Sequence, residues 1–332
     1  MGEDVQLIEA FDRRVQRRTE RREMFKYVLG AAAVGAGAFA FASSAEAQTV
    51  TDADILNFAL NLEYLEAQFY SYALNGTGIT VALTGTGTQG AVSTTGTAPP
   101  RAVDFTGEPV IQQYAREIAA DEAAHVAFLR TALGSAAVAQ PAINISGDAN
   151  GSFTAAARAA GIATTTGTLA GTQSATGTFD PYSSPDAFLL GSFIFEDVGV
   201  TAYKGASPLI QSAVFLDAAA GLLAVEAYHA AIVRTALFGR GVATPALRTA
   251  ADKISDARDG VDGATDLDQG VSAVTALGGS ASNIVPTDTN GIAFSRSAAQ
   301  VLNVVYLNKA AVTLGGFFPA GVNGTIKTSA AN

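Results

Sequence analysis

The sequence contains no cysteine and no tryptophan, and its two methionines are Met1 and Met24. Without cysteine there is no disulfide, no thiolate metal site and no cysteine nucleophile. Charge is sparse too: 15% of residues are charged, and acidic residues outnumber basic ones by 30 to 20. A net charge of −10, with basic residues clustered only near the N-terminus, argues against a nucleic-acid partner. Histidine is equally scarce, with two copies in the whole chain. Against these shortages, 48% of the 332 residues are hydrophobic. That excludes a disordered chain and leaves ample core for one large domain or two.

Residues 1–47 read as an export signal and not as part of the fold. Glu20-Arg21-Arg22-Glu23-Met24-Phe25-Lys26 is close to the twin-arginine pattern, with Glu20 where Ser or Thr is usual. An apolar run from Tyr27 to Ala42 follows, short for a membrane span, and Ala45-Glu46-Ala47 offers a small-x-small cleavage site. Cleavage there leaves a mature chain free of the membrane and delivers it to the periplasm, or otherwise exports it, by a route that carries folded proteins. An uncleaved membrane anchor is the alternative. The mature chain would lack Met, Cys and Trp, a composition suited to a protein that meets oxidants.

Four stretches carry helical periodicity. From Asp52 to about Leu74, with Thr51 or Asp52 as N-cap, Leu56, Leu60, Glu63, Ala67, Tyr70 and Leu74 fall on one face. From about Glu108 to Leu133, closed by Gly134, the face is Ile111, Ala115, Ile118, Glu122, His125, Leu129 and Ala132. From Pro185 to about Gly205, with Ser184 as cap, it is Leu189, Phe193, Glu196, Val200 and Tyr203. From about Ile210 to Phe238 it is Phe215, Ala219, Leu222, Glu226, His229, Val233 and Ala236.

The first and third helices match position for position: Leu56 with Leu189, Leu60 with Phe193, Glu63 with Glu196, Ala67 with Val200, and Tyr70 with Tyr203. The second and fourth share Glu-x-x-His followed by Arg-Thr-Ala-Leu, at Glu122, His125 and Arg130–Leu133 and again at Glu226, His229 and Arg234–Leu237. A helical hairpin has been duplicated.

Two Gly/Thr-rich insertions, at about 75–107 and 135–185, interrupt the bundle of residues 48–244. The first reads as a surface hairpin or loop. Residues 245–332 form an extension packed on the bundle, with a polar helix over about 247–261 and another over about 297–309. Gly315-Gly316-Phe317-Phe318-Pro319 reads as an apolar cap. Asp259, Asp262, Asp266 and Asp268 cluster between the two helices. Their spacing does not match an EF-hand loop, so the expectation there is a solvated turn and not a calcium site.

The chemistry lies in the seams. A glutamate facing a core is costly unless it is paired, protonated or metal-bound. Glu-x-x-His places a carboxylate and an imidazole one turn apart on the same face. Glu63, Glu122, His125, Glu196, Glu226 and His229 together make four carboxylates and two imidazoles. That is the inventory of a carboxylate-bridged pair of divalent metals, whose charge the four carboxylates would balance. Glu66, on a neighbouring line, is an alternative ligand to Glu63. Tyr70 and Tyr203 lie two turns from their glutamates, within reach of a ligand or as plain core aromatics. Arg130 and Arg234 are expected to pair or cap at the bundle end.

On these motifs the chain resembles the ferritin-like superfamily of di-iron carboxylate four-helix bundles, over most of residues 50–320. Three stretches resemble its exported, desiccation-related branch: Leu62–Tyr70, Asp256–Asp259, and Ser295–Ser297 with Gln300–Tyr306. The resemblance implies an all-α, ferritin-like four-helix bundle. It implies Glu122 and Glu226 as bridges between two Fe ions (alternatively Mn), His125 and His229 as ligands to one each, and Glu63 and Glu196 as terminal ligands. The insertions depart from the compact bundles that build ferritin-type cages, and homo-oligomerisation is left open.

Three functions follow as expectations. The first is oxidation of Fe(II) by O2 or H2O2 in oxidative or desiccation stress protection, near Tyr70 or Tyr203. The second is manganese catalase-like dismutation of H2O2 on the same ligands. The third is a non-enzymatic stress-related structural or surface protein, stapled by a structural metal site.

Overall fold

The computed structural model describes residues 50–85, 89–163 and 177–332. The export signal expected at 1–47 lies outside the described residues, as does part of the second insertion. The fold is all-α, and four long helices carry it: α1 (Asp52–Asn75), α3 (Pro109–Leu133), α5 (Pro185–Ala206) and α6 (Ala213–Arg240). A single-turn α2 (Val81–Thr84) and a short α4 (Ser152–Ala159) sit in the two insertions. The extension supplies α7 (Pro245–Asp262), a hairpin of β1 (Val274–Ala276) and β2 (Gly279–Ala281), and α8 (Ala298–Tyr306). α1 lies along α3 and α5 along α6, as two helical hairpins, and α1 meets α5 across the core.

Local chemistry sets the ends of these helices. Thr51 caps α1 and forms a reciprocal capping box with Asp54, while Gly76 ends the helix in the left-handed region at φ 73°. Ser184 caps α5 by accepting from the Ala187 amide, and Pro185 occupies the first turn, where its missing N–H costs nothing. α6 starts at Ala213, three residues later than its periodicity suggested. Pro208 sits in a 3-10 turn there, and Ser212 is the residue that caps the helix. Asp52 accepts from the amides of Gln211 (2.8 Å) and Ser212 (2.8 Å), so the first turn of α1 holds the entry to α6 in place.

The insertions are more built-in than a surface loop would be. Their strands pair in parallel at Val92 and Ile143. Ile143, Ile145 and Phe153 are fully enclosed, and Phe153 joins Phe69, Tyr182, Phe195 and Phe317 in a continuous aromatic cluster. Phe317 and Phe318 are buried, which makes the C-terminal cap part of the core.

Only part of the acidic cluster is a solvated turn: Asp266 is exposed and Asp259 half-buried. Asp262 and Asp268 are buried, and Arg258 and Arg296 are buried with them. Arg296 pairs with Asp262, and its other arm reaches Asp268 at 3.1 Å. Arg258 donates to Asp268 Oδ1 at 2.7 Å and to Asp197 of α5 at 3.1 Å. Buried charge is tolerated when opposite charges meet it with full hydrogen bonding. Sequence spacing could not show that the three arginines involved come from separate elements. The network continues into the bundle through Arg234, which donates to Asp197 at 2.8 Å. In the first hairpin the equivalent Arg130 donates to the Tyr64 hydroxyl at 2.8 Å. Tyr64 and Asp197 occupy the same place in the repeat, so both arginines pair one helix across.

Candidate metal centre

The duplicated hairpins bring all six seam residues to one buried place between the four helices. Glu63 comes from α1, Glu122 and His125 from α3, Glu196 from α5, and Glu226 and His229 from α6. None is more than 6% exposed, so whatever balances their charge must lie inside the protein. Two groups of donors form. Glu63, Glu122, His125 and Glu226 offer ligand atoms that all lie within 4.8 Å of one another, and so do Glu122, Glu196 and His229. Glu122 belongs to both groups, as a bridging carboxylate must. Glu226 joins the His125 group only.

His125 Nδ1 lies 3.1 Å from Glu63 Oε2 and 3.6 Å from both Glu122 Oε2 and Glu226 Oε1. His229 Nδ1 lies 3.0 Å from Glu122 Oε1 and 3.6 Å from Glu196 Oε2. The outer nitrogen of His229, Nε2, is 3.1 Å from Asp121 Oδ2. A carboxylate can only accept, so this contact keeps a proton on His229 Nε2 and leaves Nδ1 facing the centre. Asp121 was not among the residues singled out from sequence. Its place directly before Glu122 was the available signal.

The tyrosines cross between hairpins. Tyr70 of α1 donates its hydroxyl to Glu196 of α5, and Tyr203 of α5 donates to Glu63 of α1. Burial and then the facing carboxylate push both phenols well above their usual range, so both stay protonated donors. Glu66 is buried as well, one turn beyond Glu63, but it belongs to neither donor group. Arg130 and Arg234 lie in the pairings described above and not in either donor group.

The electrostatics are those of too many acids in one dry place. Burial lifts Glu63 to about 7, with the Glu122 charge adding to it, and burial lifts Glu196 to about 8. Glu66 and Glu226 are driven well above the carboxylate range by burial and then by Glu122. Burial would raise Glu122 too, but the two imidazoles outweigh it and hold the group at about 2. Burial lowers the imidazoles, and their glutamate partners more than reverse it, to about 11 for His125 and about 9 for His229.

Does this set fit a metal pair? Both oxygens of Glu122, both of Glu226, Glu196 Oε2 and His229 Nδ1 are buried without a hydrogen-bond partner. Leaving one such group unpaired costs about 1–3 kcal/mol. Six converging on one centre, all of them able to act as acceptors, are the donor set that cations would satisfy. Carboxylate and imidazole suit Fe, Mn and Zn alike. The residues fit a pair of divalent ions.

Comparison with known proteins agrees with the geometry. The profile of a ferritin-like domain family matches residues 51–239. A ferritin-like catalase, Nec2, from Nesocodon mauritianus is 27% identical over 284 residues, covering 83% of this chain and 84% of its own length. The desiccation-related protein PCC13-62 from Craterostigma plantagineum is 29% identical over 260 residues, 76% of each chain. No solved structure gives a significant match.

Proposed function

The chain belongs to the ferritin-like domain family, and on that premise we propose that it is an exported, two-metal protein that consumes hydrogen peroxide by disproportionation. The observation that carries this reading is the convergence of unpartnered buried Glu and His atoms on one centre shared through Glu122. The name of the Nec2 relative moves peroxide dismutation ahead of Fe(II) oxidation. Two H2O2 give two H2O and one O2, so no outside reductant is needed. A pair of ions that each change oxidation state by one supplies the two-electron exchange when bound.

The chain's own residues do the rest. Glu63, Glu122 and Glu226 with His125, and Glu122 and Glu196 with His229, would hold the two ions, with Glu122 common to both groups. Tyr203 and Tyr70 fix the rotation of Glu63 and Glu196 by donating to them, and so set where their remaining oxygens point. Asp121 orients His229 in the same way. The apolar walls of the bundle exclude water from the two tyrosine–glutamate contacts, which strengthens both. A mature chain without Met, Cys or Trp loses little to the oxidant that it handles. Fe(II) oxidation is the second reading, because the same donors accept iron.

Two measurements separate these readings. Protein purified from its own host is analysed for metal, and O2 release is followed on adding H2O2. Manganese with O2 release supports disproportionation. Iron with O2 uptake and no release moves the assignment to Fe(II) oxidation. Protein that carries no metal and releases no O2 removes both.

A further inference from the structure

The two hairpins supply matching donors, but two of the differences beside them bear on the site. Asp121 stands directly before Glu122, whereas Val225 stands directly before Glu226. Asp121 Oδ2 therefore backs His229 at 3.1 Å, and its equivalent offers His125 no acceptor. Glu66 follows Glu63 by one turn, whereas Gly199 follows Glu196. A β-carbon at Gly199 would stand 2.1 Å from Glu226 Oε2 and 3.6 Å from Glu66 Oε1. The missing side chain makes the room in which Glu226 and Glu66 approach one another. The acids are unevenly shared as a result. Glu63, Glu122 and Glu226 gather at His125, with Glu66 next to Glu226, while only Glu122 and Glu196 gather at His229.

We propose that the two metal positions are unequal. The His125 position is a carboxylate-rich holding site that fills first. The His229 position, with three protein donors and Asp121 as a positioning residue behind its imidazole, fills second and takes the exogenous oxygen ligand. This rests on the two-metal reading above. Affinity for a divalent cation rises with the number of anionic ligands, which favours the His125 side. A position with fewer protein donors keeps coordination sites open for an incoming molecule. The side chain of Asp121 is 44% exposed, so a carboxyl group connects the His229 imidazole to solvent.

The test is a Mn(II) titration of the chelated full chain, read by calorimetry and by electron paramagnetic resonance. Two equivalents should bind in two steps, the first about ten-fold tighter or more. Asp121→Asn should weaken the second step roughly 10–100-fold and leave the first in place, since it exchanges the charged acceptor behind a ligating histidine for a neutral amide that can also turn its NH2 to the ring. Val225→Asp, which supplies the missing acceptor, should tighten the first step. Azide, a small anionic probe, should change the spectrum only after the second equivalent is bound. Two indistinguishable equivalents overturn the inference and leave the two-metal reading standing, as does weakening of the first step by Asp121→Asn. No Mn(II) bound at all overturns both, so the two failures are distinct. Circular dichroism confirms that each variant is folded, and the wild-type titration and Val225→Asp decide the matter if Asp121→Asn is not.

Discussion

Tyr203 on α5 donates its hydroxyl to Glu63 on α1, and the repeat makes Tyr70 on α1 do the same for Glu196 on α5. Each hairpin holds the other's terminal carboxylate, so the cross-pair is a feature of the assembled bundle and of neither hairpin alone. Tyr203→Phe should leave a buried carboxylate oxygen without its donor, at a cost of about 1–3 kcal/mol. In metal-free protein that appears as a lower urea midpoint with an unchanged slope. The double Tyr70→Phe/Tyr203→Phe variant should lose more than either single. An unchanged midpoint in both singles would show that the hydroxyls are not needed to hold the glutamates.

Glu122 is the one carboxylate shared by both donor groups. Glu122→Gln keeps the shape and removes the charge that faces both imidazoles and that two bound metals would share. The expected result is loss of both metals together, measured as metal per chain after dialysis, with O2 release falling to background. Glu196→Gln should instead remove at most one equivalent, because Glu196 belongs to one group only. Retention of two metals in Glu122→Gln would exclude it as the bridge.

Much of this site was legible before the fold was known, because Glu-x-x-His has only one geometry on a helix and the duplication showed it twice. The helical faces through Glu63 and Glu196 were legible for the same reason. What stayed hidden depended on contacts between elements. Asp121 meets His229 across two helices, and its place directly before Glu122 was the one local signal. The acids at Asp262 and Asp268 looked like a solvated turn because their partners, Arg258 and Arg296, stand on different elements, and Arg234 and Asp197 on others again. The part that Phe153 and Tyr182 of the second insertion play in the aromatic core was hidden by the Gly/Thr composition around them, which reads as loop.

The buried ion network makes its own prediction. Arg296 is held between Asp262 and Asp268, with all three side chains buried. Arg296→Met removes one charge and leaves Asp262 buried without its partner, while Asp268 keeps Arg258. Breaking such a set costs about 3–5 kcal/mol, more than the lost attraction alone, because the remaining charge is uncompensated. The fall in thermal midpoint should be partly reversed by adding Asp262→Asn. Limited proteolysis of Arg296→Met should cut first within the 263–296 segment that the network pins. A variant as stable as the parent would show that the network contributes specificity and not stability.

The pH dependence of metal-free protein should run opposite to that of most proteins. Glu63 and Glu196 sit at about 7 and about 8, above the ordinary 4.5, because burial disfavours their charge. His125 and His229 sit at about 11 and about 9, above 6.5, because their glutamate partners outweigh burial. In all four, the folded chain binds protons that the unfolded chain releases. That stability is fully present below the ordinary values and is lost as pH rises through the raised ones. Glu122, held at about 2, acts in the other direction, but only below 4.5. The chelated protein should therefore melt several degrees lower at pH 9 than at pH 5, by roughly 5 °C or more. Metal displaces the same protons, so in loaded protein affinity and stability should rise over that range. A melting temperature of the chelated form that climbs from pH 5 to pH 9 would contradict the charge balance described here.

Gly199 offers the sharpest separation of site from scaffold. It lies within α5, where alanine is preferred over glycine by about 1 kcal/mol. On helix propensity alone, Gly199→Ala should stabilise the protein. The added methyl, however, would stand 2.1 Å from Glu226 Oε2, too close for any contact. That oxygen is the end of a flexible side chain, so the carboxylate moves and the helix does not. Glu226 then turns away from His125, and the His125 group loses one of its four donors. The expected variant is folded, melts at or near the parent temperature without metal, and binds its tighter Mn(II) equivalent at least about ten-fold more weakly. If metal affinity is unchanged, Glu226 is not a ligand in the position that the structure gives it. If the variant unfolds, the contact belongs to packing and not to the site.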